Sequence, residues 1–137
     1  AAPSASAQTL WLRCEITSSS GNWANSSRWS PSEHFAVAEA AIFAIGERNW
    51  GRWSSSAGRL EGDFCSSLQM EDSRCDFAPT YFRARMSNEF GSWTITINRS
   101  NGQFTAVSSG QSGVNGWGSA VGTCAPTTEP AAPQTQF

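Results

Sequence analysis

The residues that could support nucleophilic catalysis are few in this chain of 137 amino acids. His34 is the only histidine, and it would have to act as the base for one of the many serines. No Gly-x-Ser-x-Gly segment holds a serine on a sharp turn. A single histidine between a turn and a strand is more often a surface residue than a catalytic one, so we predict a non-catalytic protein without a cofactor.

A group of acidic side chains surrounds residues 65–75 and offers oxygen ligands of the kind that calcium prefers. Its members are Glu61, Asp63, Glu71, Asp72 and Asp76. Their spacing matches no EF-hand loop, and Arg59 and Arg74 offer ion pairs instead. We therefore interpret the group as a solvated acidic loop and predict no metal site.

The overall charge excludes one class of partner. The chain has nine basic and eleven acidic residues, which leaves a formal net charge of -2. Without an excess of positive charge there is no electrostatic footprint for nucleic acid, and we predict no nucleic-acid partner.

Aromatic side chains are the strongest indication of binding, with seven tryptophans and eight phenylalanines against one tyrosine. Residues 17–33 are rich in Ser, Asn and Gly, which predicts a long polar loop carrying Trp23 and Trp29. These indoles form either a lid over one end of the sheet or a stacking platform for a sugar or a partner. The predicted contact residues are the indoles of Trp23, Trp29, Trp50, Trp53 and Trp117 and the guanidinium groups of Arg28 and Arg52.

The four cysteines, Cys14, Cys65, Cys75 and Cys124, are even in number and contain no Cys-x-x-Cys pair. This pattern favours two disulfides over a zinc site. Sequence alone permits three pairings. Proximity in the chain favours Cys65 with Cys75, as a staple at the end of a hairpin. The remaining pair, Cys14 with Cys124, would then link the first strand to the last.

The clearest element is a hairpin over residues 91–110. Trp93, Ile95 and Ile97 alternate with polar residues, as a half-buried strand requires. Asn101-Gly102 supplies the positive φ angles of a tight turn, so Ile97 and Phe104 should lie on the core face beside it.

Similar patterns predict further strands over residues 10–16, 50–53, 59–67, 80–86 and 119–124. Residues 35–45 fit a helix or a strand, and the stop at Gly46 with the turn that follows it favours the strand. Short connections between consecutive strands predict an all-β fold, an antiparallel meander of about seven to nine strands curled into a small barrel or a strongly bent sheet.

The two ends of the chain differ from this single β domain, which we assign to residues 9–124. Residues 1–8 include Ala5-Ser6-Ala7, the small-residue pattern at which export signals are cut, and form a signal remnant or an N-terminal arm. Residues 125–137 are Pro-rich and predict an extended tail. No run approaches the ~20 apolar residues of a transmembrane helix. Export to the periplasm or the extracellular space agrees with disulfides.

Three segments carry a resemblance: the first strand with Cys14, the hairpin of residues 95–104, and the closing Gly122-Thr123-Cys124. Together they resemble small, exported, uncharacterised β-meander proteins of bacteria. The resemblance implies a disulfide-bonded periplasmic or secreted protein and does not imply any catalytic residues in this chain.

Two functions are then open. The first is a non-catalytic interaction module, an accessory subunit docked on a larger envelope assembly or on further copies of itself through Arg, Trp and the C-terminal tail. The second is a lipocalin-like or carbohydrate-binding protein that holds a small apolar or sugar ligand in a Trp-lined mouth. A filled core would oppose the apolar ligand, and coplanar indoles on the surface would favour the sugar.

Overall fold

Nine antiparallel strands form one sheet in the computed structural model, which describes residues 9–23, 40–66, 72–88, 91–110 and 116–130. The strands are β1 Leu10–Trp23, β2 Ala40–Ile45, β3 Trp50–Ser54, β4 Arg59–Glu61, β5 Asp72–Phe77, β6 Tyr81–Asn88, β7 Gly91–Asn98, β8 Gln103–Gly110 and β9 Gly116–Pro126. The prediction of an all-β antiparallel meander is therefore confirmed.

The order of the strands across the sheet is β4-β3-β2-β1-β9-β8-β7-β6-β5. Consecutive strands are neighbours at every step except one, because β4 and β5 lie at opposite edges. The first and last strands pair in the middle of the sheet, from Leu12 opposite Pro126 to Trp23 opposite Gly116. The opening of the curled sheet is therefore between β4 and β5.

The sheet curls because its apolar side chains need to be buried on one face. Strand β7 alternates buried and half-buried residues along its whole length, as a strand with one covered face does. Phe43 of β2 and Phe104 of β8 stack with ring centroids 6.0 Å apart, although three strand spacings would hold them ~14 Å apart in a flat sheet. The inner face is thus folded onto itself as a half-barrel, and both rings are fully buried.

Both predicted disulfides are confirmed. Cys14 and Cys124 are direct partners in the β1–β9 register and are bonded to each other. Cys65 follows β4 and is bonded to Cys75 of β5, with 5.0 Å between their Cα atoms. The predicted hairpin at this second bridge is wrong, because β4 and β5 do not pair and the bridge instead joins the two edges across the opening.

The hairpin of β7 and β8 is confirmed, although its connection is the four residues 99–102 instead of a two-residue tight turn. Ile97 and Phe104 are opposite each other and buried, and Gly102 has a φ of 77°. The Asn98 side-chain oxygen accepts hydrogen bonds from the backbone N–H groups of Ser100 at 2.8 Å and Asn101 at 3.3 Å. The turn is therefore determined by local residues.

Several element boundaries differ from their predictions. Strand β9 begins at Gly116 instead of residue 119 and includes the first two residues of the predicted tail, Ala125 and Pro126. Residues 17–23 continue β1 instead of forming a loop, because they pair with β9 beyond a bulge between Ile16 and Ser18. Strand β4 ends at Glu61, and Phe64 lies in a turn, where it packs against the core. Strand β5 was missed, since its outward residues are charged and only β6 supports it. Within residues 35–45, the strand is confirmed for 40–45, and 35–39 lie outside the described residues.

Candidate functional site

The predicted contact residues on β3 lie on opposite faces of the sheet. Trp50 is fully buried on the inner face, with its ring 5.6 Å from that of Phe43. Arg52 lies directly opposite Phe43 on the same face and is half-buried. Trp53 points to the outer face, where it pairs with Leu60 of β4. The structure therefore does not bring Trp50 and Trp53 together at one mouth.

The remaining predicted contact residues are described in part or not at all. The backbone of Trp23 lies at the end of β1 opposite Gly116, and that of Trp117 lies opposite Asn22. Trp29, Arg28 and the catalytic candidate His34 lie outside the described residues.

One acidic residue has a structural role instead of the predicted solvated one. The Asp63 carboxylate accepts hydrogen bonds from the backbone N–H groups of Trp50 and Cys65, each at 2.9 Å, and from the Ser66 hydroxyl at 3.3 Å. It thereby attaches the segment after β4 to the start of β3. The described residues contain no group of three or more His, Cys, Asp or Glu side chains that could hold a metal ion.

The outer face carries a pair of indoles that sequence reasoning did not join. Trp11 of β1 and Trp53 of β3 are in edge-to-face contact, with centroids 6.1 Å apart and planes at 72°. Ala44 of β2 lies opposite Trp11 and is only 1% exposed, although it points to the outer face. Ala44 carries only a methyl group and its β3 partner Gly51 carries no side chain, so the two larger rings have room to meet above the strand between them.

These indoles line a groove of about 540 Å³ on the outer face. We call it the aromatic groove, formed by Trp11, Trp53, Gly58, Arg59, Leu60, Glu129 and Pro130. Leu60 is 39% exposed in it, and Arg59 forms an exposed ion pair with Glu61 at 4.0 Å. Apolar surface is therefore bordered by charges of both signs.

The C-terminal segment reaches this groove because it extends the β1–β9 ladder. The N–H of Thr127 donates to the carbonyl of Trp11 at 2.9 Å, one residue beyond the end of β9. Residues 127–130 then leave the sheet, and Glu129 and Pro130 line the groove. A tryptophan, an arginine and part of the predicted tail are thus brought together at one place.

The signal that could have identified Trp11 was the strand alternation of β1. That alternation places Trp11 on the outer face with Arg13 and Glu15, and an indole among exposed charged residues needs a reason. Its contact with Trp53 could not be read from the sequence, since it depends on β2 lying between β1 and β3.

A second recess opens at the end of the half-barrel beside the β7–β8 turn. It has a volume of about 310 Å³, and its apolar walls include Leu10, Leu12, Phe82 and Ile97. Arg99 stands at its rim, where its guanidinium donates to the carbonyl of Ala78 at 2.8 Å and lies 4.5 Å from the ring centre of Phe82. We call this recess the end pocket.

No helix in the described part of the chain is long and apolar enough to cross a membrane. Comparisons with protein-family models, with curated proteins and with solved structures found no match to this chain.

Proposed function

We propose that the chain is a non-catalytic interaction module that docks on a protein partner through the aromatic groove. The observation that carries the proposal is the convergence of two half-exposed indoles, an exposed leucine and the C-terminal segment on one groove. Two disulfides agree with a role outside the cytoplasm, where such bonds persist.

The composition of the groove is that of a protein-binding surface. Tryptophan and arginine are the residue types that most often dominate binding energy at interfaces, and they act best when a polar rim excludes water around them. Trp11 and Trp53 supply the centre of such a surface, while Arg59, Glu61 and Glu129 supply the rim.

The orientation of the indoles favours a protein partner over a sugar. A sugar ring stacks its C–H face on an exposed aromatic face, and two coplanar indoles would offer an extended platform for a row of such rings. The planes of Trp11 and Trp53 are inclined at 72°, and the rings meet edge to face. Two inclined rings of this kind accommodate a side chain of a partner better than they accommodate a row of sugar rings.

The test compares substitutions inside and outside the groove. Trp53→Ala and Trp11→Ala remove the two anchors, and Val107→Ala is the matched control, because Val107 is an apolar residue 51% exposed on another strand. Each variant is immobilised and exposed to an envelope extract from the source organism. The captured proteins are then quantified by mass spectrometry. Circular dichroism checks the fold of each variant.

We expect one stoichiometric partner that Val107→Ala retains. Trp53→Ala should weaken its binding about 30-fold, which corresponds to the ~2 kcal/mol of an interface anchor. The proposal is wrong if the captured proteins are the same for all three variants, or if the wild-type chain captures none and remains a monomer in sedimentation.

The end pocket favours a second candidate, a binding protein for a small apolar ligand. Its apolar walls and the single arginine at its rim suit an amphiphile with a carboxylate, although the aromatic interior of the half-barrel is filled by Phe43, Trp50 and Phe104. A fluorescent fatty acid would test it. Saturable binding that Arg99→Gln weakens would support this candidate, and fluorescence unchanged by the protein would remove it.

A further inference from the structure

A group of arginines lies on the outer face of β5 and β6, on the other side of the sheet opening from the aromatic groove. Arg74, Arg83 and Arg85 line an open groove of about 570 Å³, together with the side chains of Asp72, Ser87, Thr94 and Thr96. We call it the arginine groove. It contains three of the nine arginines of a chain whose net charge is negative.

Two of these arginines are placed unfavourably against each other. Arg74 of β5 and Arg85 of β6 are direct partners in the antiparallel register, and both are exposed. Like charges directly opposite on neighbouring strands destabilise a sheet, because their side chains lie close together on the same face. Neither guanidinium forms a salt bridge within the part of the chain that the structure describes.

A surface network of ion pairs does not account for this arrangement. Asp72 and Asp76 flank Arg74 along β5, and Asp76 is opposite Arg83. Nevertheless, neither carboxylate comes within 4.0 Å of an arginine nitrogen in the described residues. Arg74 and Arg85 are therefore exposed without a close ionic partner among the described residues.

The third arginine is already held in place. The Arg83 Nε donates to the Thr96 hydroxyl at 3.3 Å, and its guanidinium lies 4.4 Å from the ring centre of Tyr81. A guanidinium oriented in this way loses little side-chain freedom when it binds a ligand. The hydroxyls of Ser87 and Thr94 add uncharged hydrogen-bonding groups to the same groove.

We propose that the arginine groove binds a phosphate or sulfate group, which bridges Arg74 and Arg85. Each guanidinium presents a planar fork of N–H donors that matches the oxygens of such a group, and a negatively charged group between them offsets their mutual repulsion. The groove, at about 570 Å³, is much larger than one inorganic anion, so it also accommodates such a group as an ester on a larger molecule. This site uses none of the residues of the aromatic groove and stands independently of that proposal.

The experiment measures the urea midpoint of unfolding at one fixed ionic strength, with sodium chloride, sodium sulfate, dextran sulfate or uncharged dextran as the additive. Arg85→Gln and Arg74→Gln each remove one charge from the groove. Arg13→Gln is the matched control, because it removes an exposed outer-face arginine of β1 that lies 3.7 Å from Glu15. Sulfate stabilises folded proteins generally, so only the difference between variants reports the site.

We expect dextran sulfate to raise the midpoint of the wild-type chain and of Arg13→Gln equally, as a ligand that binds only the folded state must. Arg85→Gln and Arg74→Gln should lose the rise in urea midpoint that dextran sulfate causes. In sodium chloride, the midpoints of these two variants should equal or exceed that of the wild type, because the like-charge pair has been removed. If sodium sulfate raises the urea midpoint as much as dextran sulfate does, a free anion is sufficient for binding. If only dextran sulfate raises the midpoint, the site requires a sulfate ester on a polymer. The proposal is overturned if neither sulfate additive raises the midpoint more than its uncharged or chloride counterpart. It is also overturned if the groove variants respond as Arg13→Gln does.

Discussion

Replacing both cysteines of the Cys14–Cys124 bridge by alanine should destabilise the chain more than the same replacement at Cys65–Cys75. The two bridges span 110 and 10 residues of sequence. When a disulfide acts by restricting the unfolded chain, loops of these lengths correspond to about 5 and about 3 kcal/mol, a difference of ~2 kcal/mol. Cys14 is also fully buried, so the lost sulfur adds about 1 kcal/mol to the larger value.

The location of the bridges in the folded protein argues for the opposite order, which makes the comparison informative. Cys14–Cys124 lies within a ladder that already joins β1 and β9 by backbone hydrogen bonds. Cys65–Cys75 crosses the opening between β4 and β5, where the described strands do not pair. If disulfides stabilised this fold chiefly by holding folded edges together, the shorter loop would matter more.

The assay is urea unfolding without reductant, followed by tryptophan fluorescence and extrapolated linearly to zero denaturant. We expect the free energy of unfolding to fall about 2 to 3 kcal/mol further for the Cys14→Ala, Cys124→Ala double variant. Failure of this variant alone to fold would agree with that order. An equal or larger loss for the Cys65→Ala, Cys75→Ala double variant would refute the chain-entropy reasoning for this protein.

Substitutions at three further positions test the core and the β7–β8 turn by the same unfolding measurement. Gly102→Ala should cost about 1 to 3 kcal/mol, because Gly102 has a φ of 77° and its new Cβ would meet the carbonyl oxygen of Cys124; a neutral result would contradict the positive φ. Phe104→Ala should cost about 3 to 5 kcal/mol, since the ring is fully buried, and a loss below 1 kcal/mol would show that the interior is not packed around it. Asn98→Ala should cost about 1 kcal/mol by leaving two turn N–H groups without their acceptor, while Asn98→Asp, which keeps that oxygen, should be nearly neutral.

Local features were the ones that sequence reasoning predicted correctly. The alternation of Trp93, Ile95 and Ile97 and the Asn101-Gly102 turn lie within a few residues of one another, so their register needs no information from elsewhere in the chain. The short spacing of Cys65 and Cys75 likewise favoured their bridge, and the long-range bridge between Cys14 and Cys124 followed as the remaining pair.

Features that depend on distant strands were missed. Residues 17–23 have the composition of a loop and become a strand only because β9 pairs with them. Strand β5 alternates charged residues with Ser73, Cys75 and Phe77, and its sheet membership depends on β6 alone within the described residues. Intrinsic strand preference is a weak signal in both segments, since neighbouring strands decide which backbone groups find partners.

The sequence by itself determined that this chain is an all-β, disulfide-bonded protein with a well-defined β7–β8 hairpin, because strand alternation and turn chemistry act over short distances. Only the tertiary structure decided which side chains meet on its surface. Trp11 joins Trp53, and Arg74 faces Arg85, through the order of strands and the register between them. Strand order and register are set by burying the whole inner face at once, and no single segment contains that information.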